Sequence, residues 1–202
     1  MWRRLMIVIG TIFILHGCVS VNDGNPNIQE NEIKVGIDVE EQLIKAAKGK
    51  EADTVRRLIE EGVDINTKDS EGRTSTMIAT YNNDAETAKI LIDAGADVNI
   101  QDDMENNPFL YAGAEGYVEI LKLTIKAGAD PSITNRYGGT ALIPASEHGY
   151  VDVIKELITN TDIDINHIND LGWTALLEAI ILNNGDEKQQ QTVQLLIDYG
   201  AD

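Results

Sequence analysis

From residue 38 onward, apolar residues come in short runs at helical spacing, and the runs recur as pairs. In one pair Ala88, Leu91 and Ile92 fall on a single helical face, as a side that packs on a neighbour requires. An alanine marks the same place in every pair, at Ala46, Ala79, Ala112, Ala145 and Ala179, with intervals of 33, 33, 33 and 34 residues. A glycine follows sixteen residues later in three of them, at Gly62, Gly95 and Gly128, and Asn66, Asn99 and Ser132 form a third column. A fixed period of this size predicts an all-α solenoid of about five helix-turn-helix units, at about 38–68, 69–101, 102–134, 135–168 and 169–202.

The local strings carry a resemblance. Thr140-Ala-Leu-Ile-Pro-Ala145 and Thr174-Ala-Leu-Leu-Glu-Ala179 look like the Thr-Pro-Leu-His-x-Ala motif of the ankyrin-repeat family, and Asp93-Ala-Gly-Ala-Asp-Val-Asn99 looks like its helix exit. The resemblance covers about 165 residues and extends to small stand-alone bacterial ankyrin proteins. It implies that Thr caps the first helix of a unit, that the small Ala lets helices approach, and that Gly95 ends the second helix in a left-handed conformation before Asp97 and Asn99 open the turn.

Departures from the motif modify that expectation. The family's histidine is replaced by Met77, Leu110, Ile143 and Leu177, so cohesion between units should rest on apolar burial. Proline stands at the helix start only once, as Pro108, while Pro144 lies three residues later than that place and is expected to loosen its helix's first turn as a tolerated irregularity. The fourth unit gains a residue around Asn160 to Asp162, and the fifth gains five near Asn183 to Gln189, read as a longer polar loop. The last unit keeps apolar residues where terminal repeats normally turn polar, at Ile180, Ile181, Leu182 and Ile197, which predicts a frayed end or a truncated reading frame.

The first seventeen residues are of another kind. Arg3 and Arg4 precede the run Leu5 to Leu15, apolar except for Gly10 and Thr11, and a run this short falls below the roughly 18 residues that span a bilayer. Residues 1–17 therefore read as a signal peptide, ending in Leu15-His16-Gly17-Cys18, which resembles the bacterial lipobox except at His16. Cys18 is the single cysteine, so it has no disulfide partner within the chain; lipid attachment there is expected, against an ordinary cleaved signal or an uncleaved leader. Residues 18–37 would then be the lipidated cysteine and a flexible tether reaching about 20 Å. The protein is expected to be exported and lipid-anchored in the cell or outer membrane, facing the periplasm or the cell exterior.

Composition narrows the function. The formal charge is −18, which disfavours nucleic acid and anionic lipid and points to a partner protein with a basic surface. With 43% hydrophobic but only 5% aromatic residues, the core must be built from small aliphatic side chains. Catalytic chemistry finds no convergent set: His148 and His167 fall in different units, and no metal or cofactor motif occurs. Asp162, Asp164 and Asn166 alternate like a calcium loop, but His167 stands where Gly is required and Trp173 where Glu belongs. Asp69, Asp97, Asp102 and Asp130 sit where the family caps or turns.

The resemblance implies a monomeric, non-enzymatic binding module, here one that holds, stabilises or inhibits another exported protein; the alternative is an envelope hydrolase or metal-dependent enzyme with an unrecognised site. Positions matching the family's variable turn tips and inner helices are Arg73, Tyr81, Met104, Arg136, Tyr137, His148, Leu171 and Trp173, expected to line one concave side. Trp173 fits a packing role across its turn as well as a binding role. Asp103, Glu105, Glu147 and Asp170 should form an acidic rim beside them.

Overall fold

Most of the described helices run into a glycine or asparagine in the left-handed region within two residues of their last turn, so they stay short. The computed structural model describes residues 39–182 and 185–202; the leader, Cys18, the tether and residues 183 and 184 lie outside the described residues. The described residues form ten helices in order: α1 (39–48), α2 (Ala52–Glu60), α3 (Ser75–Tyr81), α4 (Ala85–Asp93), α5 (Pro108–Ala114), α6 (Val118–Lys126), α7 (Leu142–Glu147), α8 (Val151–Asn160), α9 (Ala175–Ile181) and α10 (Glu187–Asp198). Strands are absent among the described residues, apart from one isolated bridge between Lys68 and Thr74.

The caps explain the boundaries. Thr74, Asn107 and Thr174 each accept the N–H three residues on, from Met77, Leu110 and Leu177, at 3.2, 2.8 and 3.3 Å. At the far end of α4 the chain turns through Gly95 at φ +94°, a conformation glycine adopts without strain.

Successive pairs stack in two rows. The inner helices α3, α5, α7 and α9 pack in sequence, as do the outer helices α2, α4, α6, α8 and α10, and one continuous core runs between the rows. Small residues set the spacing: Ala79, Ala112 and Ala145 are fully buried, and a Cβ added at Gly113 on α5 would come within 2.8 Å of the Ala141 Cβ. Where the family motif has histidine, Met77, Leu110 and Ile143 are buried among the stacked units, whereas Leu177 in the last pair is 39% exposed.

Three sequence expectations change in detail. In the apolar stripe of α4, Ala88 and Leu91 are buried but Ile92 only partly so. Thr140 does not cap α7, whose N-cap is Ala141. Pro144 lacks the N–H that Ile78 and Glu178 give to the carbonyls of Thr74 and Thr174, so the Ile143 N–H turns to the Thr140 carbonyl at 3.2 Å and the Thr140 hydroxyl is left unpaired. The polar loop expected over 183–189 is shorter, because Asp186 accepts the Gln189 N–H at 3.0 Å and starts α10 at Glu187, three residues inside that range.

In the last pair Ile180, Ile181, Leu182 and Ile197 are each half exposed, while Leu196 is fully buried. The stacking distance is tested at α5. Gly113→Val should lower stability by about 1–3 kcal/mol through overpacking, read from the urea midpoint, and an unchanged midpoint would show that Gly113 does not set the approach.

Candidate functional site

The turns between units form a row of four tips, and one kind of contact shapes all of them. At Asp69, Asp102, Asn135 and Asn169 the Oδ1 atom accepts two backbone N–H groups, from the residues two and four positions on, at 2.9–3.1 Å. Asp69 and Asp102 thus have the structural role the sequence suggests. Neighbouring tips are joined by backbone: the Asp103 N–H donates to the Glu71 carbonyl at 3.2 Å and the Asp170 N–H to the Tyr137 carbonyl at 3.0 Å. These joints require glycine in the preceding tip, since a Cβ at Gly72 or Gly138 would lie 2.4 or 2.5 Å from the next aspartate's carboxylate. In the second tip Glu105 occupies the same left-handed region, φ +59°, at a cost of about 1–2 kcal/mol for a side chain that glycine avoids.

The eight residues picked from sequence fall into two groups and an outlier. Arg73, Tyr81 and Met104 line a small cleft with Glu71, Asp102 and Asp103. Tyr137, Leu171 and Trp173 line a groove of about 500 Å³ with Ile143, Pro144, Glu147, Glu178 and Leu182. Arg136 bridges the groups: its guanidinium lies 4.9 Å from the centre of the Tyr137 ring, donates to the Tyr137 hydroxyl at 2.8 Å and reaches Met104 Sδ at 3.6 Å. His148 stands apart at the C-terminal end of α7, its ring 5.4 Å from that of Tyr150.

Within the first group, two side chains are already engaged. Tyr81 donates to the Asp102 carboxylate at 2.6 Å; burial and that contact push its phenol up to about 12. Arg73 donates to Asp69 at 2.7 and 3.1 Å and to Glu71 at 2.9 Å, which makes it a brace of the first tip. By contrast Met104, Tyr137 and Leu171 are 47%, 55% and 69% exposed.

Glu178 escaped the sequence reading. It is 6% exposed at the base of the groove. Burial and then the Glu147 charge push its carboxyl up, against a hydrogen bond from Asn169. The column before the marker alanine reads Lys45, Ile78, Tyr111, Pro144 and Glu178, so a charge at that position is no signal on its own and only the fold shows that Glu178 is buried. His167, by contrast, is satisfied, with Nε2 2.6 Å from the Gly138 carbonyl oxygen. Among the described residues, no three His, Cys, Asp or Glu side chains converge as a metal site.

Comparison with known proteins gives one consistent result. The family of ankyrin repeats, defined as three copies, matches residues 13–102 and 109–202. An ankyrin repeat domain from Acinetobacter baumannii is 48% identical over 79% of this chain and 81% of that chain, with a TM-score of 0.77. The ankyrin repeat protein EF0377 is 43% identical over 81% and 83%, with a TM-score of 0.78. A curated relative, the putative ankyrin repeat protein YahD of Escherichia coli (strain K12), is 57% identical over 47 residues, so the match spans 23% of its length and 23% of this chain.

The first tip offers a pH test. Burial pushes the Asp69 carboxyl up, but the bonds from Arg73, from the Glu71 and Arg73 N–H groups and from Lys48 outweigh it and hold the carboxyl well below the usual carboxylate range. A carboxyl depressed in the fold stabilises above its unfolded value near 4, and that stabilisation is lost as pH falls through the folded value. Arg73→Ala should therefore cost about 1.5–3 kcal/mol near neutral pH, with the difference from wild type narrowing as pH falls below about 4. A difference that stays constant down to pH 2 would contradict the brace.

Proposed function

The chain belongs to the ankyrin-repeat family, a family of protein–protein interaction modules, and from that membership we propose that it binds another exported protein along its row of tips while a lipid on Cys18 tethers it to the membrane. The observation that carries the reading is the side-by-side exposure of Met104, Tyr137 and Leu171 along the tips of a fold that buries most of its large apolar side chains. Rigid aromatic, methionine and arginine side chains dominate interface energies when they lie together on a preformed surface. The bonded tips provide that preformation, so little ordering entropy is spent on binding.

Charge completes the proposal. Asp103, Glu105 and Asp170 are exposed on the same tips, which favours a basic partner and an approach that slows as salt rises. Arg136, folded against Tyr137, presents a planar cation within this acidic rim. Inhibition, stabilisation and simple retention of the partner would all use this surface.

Two expected outcomes test the parts separately. Cys18→Ala should move the protein from the membrane to the soluble fraction, and wild type should carry acyl mass; unchanged fractionation without acyl mass would rule out the anchor. With a partner isolated by crosslinking from membranes, Arg136→Ala combined with Tyr137→Ala should weaken affinity about tenfold or more with the helical content intact. Equal affinity for the double variant would place the interface elsewhere.

A further inference from the structure

We infer that the row of tips takes a basic amphipathic α-helix of the partner, laid across the units so that residues seven apart place one apolar side chain on each of three tips. The inference deepens the reading above and rests on it for the tips being the contact surface.

The tips offer side chains and little free backbone. In each tip the N–H groups two, three and four positions past Asp69, Asp102, Asn135 or Asn169 donate back to that residue, to its side-chain oxygen or to its own carbonyl. The carbonyls of Arg73, Asn106, Gly139 and Trp173 accept the N–H of the same residue in return. The Asp103 and Asp170 N–H groups are used in joining neighbouring tips. A strand added along this row would therefore find few groups to pair with, and strand addition draws its affinity from backbone bonds. A helix satisfies its own backbone and brings only side chains.

Spacing selects the same occupant. The position two past the Asp or Asn is Glu71, Met104, Tyr137 and Leu171 in successive tips, one acidic residue and then three exposed apolar ones. Units stacked helix on helix repeat at about 8–10 Å. Two turns of a helix advance about 10.5 Å, so residues seven apart meet successive tips. On one face of a strand, side chains recur about every 6.6 Å, out of step with the row. A polyproline segment has a suitable period of about 9.3 Å, but such segments seat in aromatic-lined grooves. The groove walled by Tyr137 and Trp173 spans only the last two tips and leaves Met104 outside.

Charge sets the flanks of the helix. Asp103 and Glu105 stand on either side of Met104 in the chain, and Asp170 precedes Leu171, all of them exposed. Lysine or arginine beside the apolar stripe would meet these carboxylates. Glu71, which also accepts from Arg73, extends the row by one tip and favours a further basic residue seven positions beyond the stripe. The net charge of −18 acts in the same direction at longer range.

The test uses the full chain, with methionine and leucine methyl groups labelled, and an acetylated and amidated peptide of three heptads built from alanine and lysine with one leucine in each heptad. Methyl shifts should be largest at Met104 and Leu171 and should saturate below about 1 mM peptide at low salt, with the helicity of the peptide rising on binding. Moving the leucines to every fifth position keeps composition and charge but scatters them around the helix, and should weaken binding at least fivefold. Leu171→Asn should weaken it at least threefold, whereas Ile197→Asn, the same kind of change at a half-exposed site outside the tips, should alter it less than twofold. Retained methyl dispersion shows that each variant is folded. Shifts centred elsewhere, equal binding of the rearranged peptide, or no saturation at 5 mM would overturn the helix. Equal or tighter binding of a lysine–proline peptide with leucine at every third position would overturn it as well. The two proposals separate with the isolated partner. If Arg136→Ala with Tyr137→Ala weakens it and its crosslinked segment is not helical when bound, the helix falls and the interface stands. If the peptide binds as described and the partner is insensitive to the double substitution, the interface falls and the helix site stands.

Discussion

No unit of this chain can close a hydrophobic core alone. A helix of seven residues against one of nine buries too little apolar surface to offset the entropy of ordering both, so each pair depends on its neighbours for most of its stabilisation. Burial between pairs is therefore the interaction on which the rest depends, and the sequence spends its most constrained positions there. The marker alanines, Gly113 and the column of Met77, Leu110 and Ile143 all lie between units. In a stack of this kind the loss of one interface is felt mainly by the two units that share it.

Stacking also decides what the surface can be. Because the interior column must be apolar and small, the residues free to differ between units lie at the tips and on the exposed faces of the helices. The tips remain ordered despite carrying variable residues because an Asp or Asn oxygen in each closes two backbone bonds, independently of the side chains between. The fold thereby separates the residues that hold a tip from those that it displays. Arg73 shows that the separation is incomplete, since a tip side chain of the displayed class is drawn into bracing Asp69. Glu105 shows the opposite case, a displayed residue held in a backbone region that the other tips assign to glycine.

How much was legible follows from the same division. The period of the marker alanines gives the helix pairs, because interior packing repeats with the unit. Thr74 and Thr174 cap as their motif implies, but Thr140 does not, and the reason lies four residues away in the missing N–H of Pro144. The polar run over 183–189 has the composition of a loop, yet Asp186 caps a helix within it and α10 begins at Glu187. For the surface, the positions that match the family's variable turn tips and inner helices put Tyr137, Leu171, Trp173 and His148 in one list; the structure gathers the first three in one groove, sets His148 apart and folds Arg136 over Tyr137, contacts that depend on packing and not on spacing. Glu178 is not marked out by sequence, because its column also holds the charged and exposed Lys45 and the half-buried Tyr111 and Pro144, and its burial follows from packing in the last pair.

Met104, Tyr137 and Leu171 are exposed together on the tips proposed above as the binding face. Hydrogen exchange of the full chain, with and without its crosslink-identified partner, tests it most directly. Partner binding should slow exchange at the tip amides around Met104, Tyr137 and Leu171 and leave the outer helices α2, α4, α6 and α8 unchanged. Protection confined to those outer helices would contradict it.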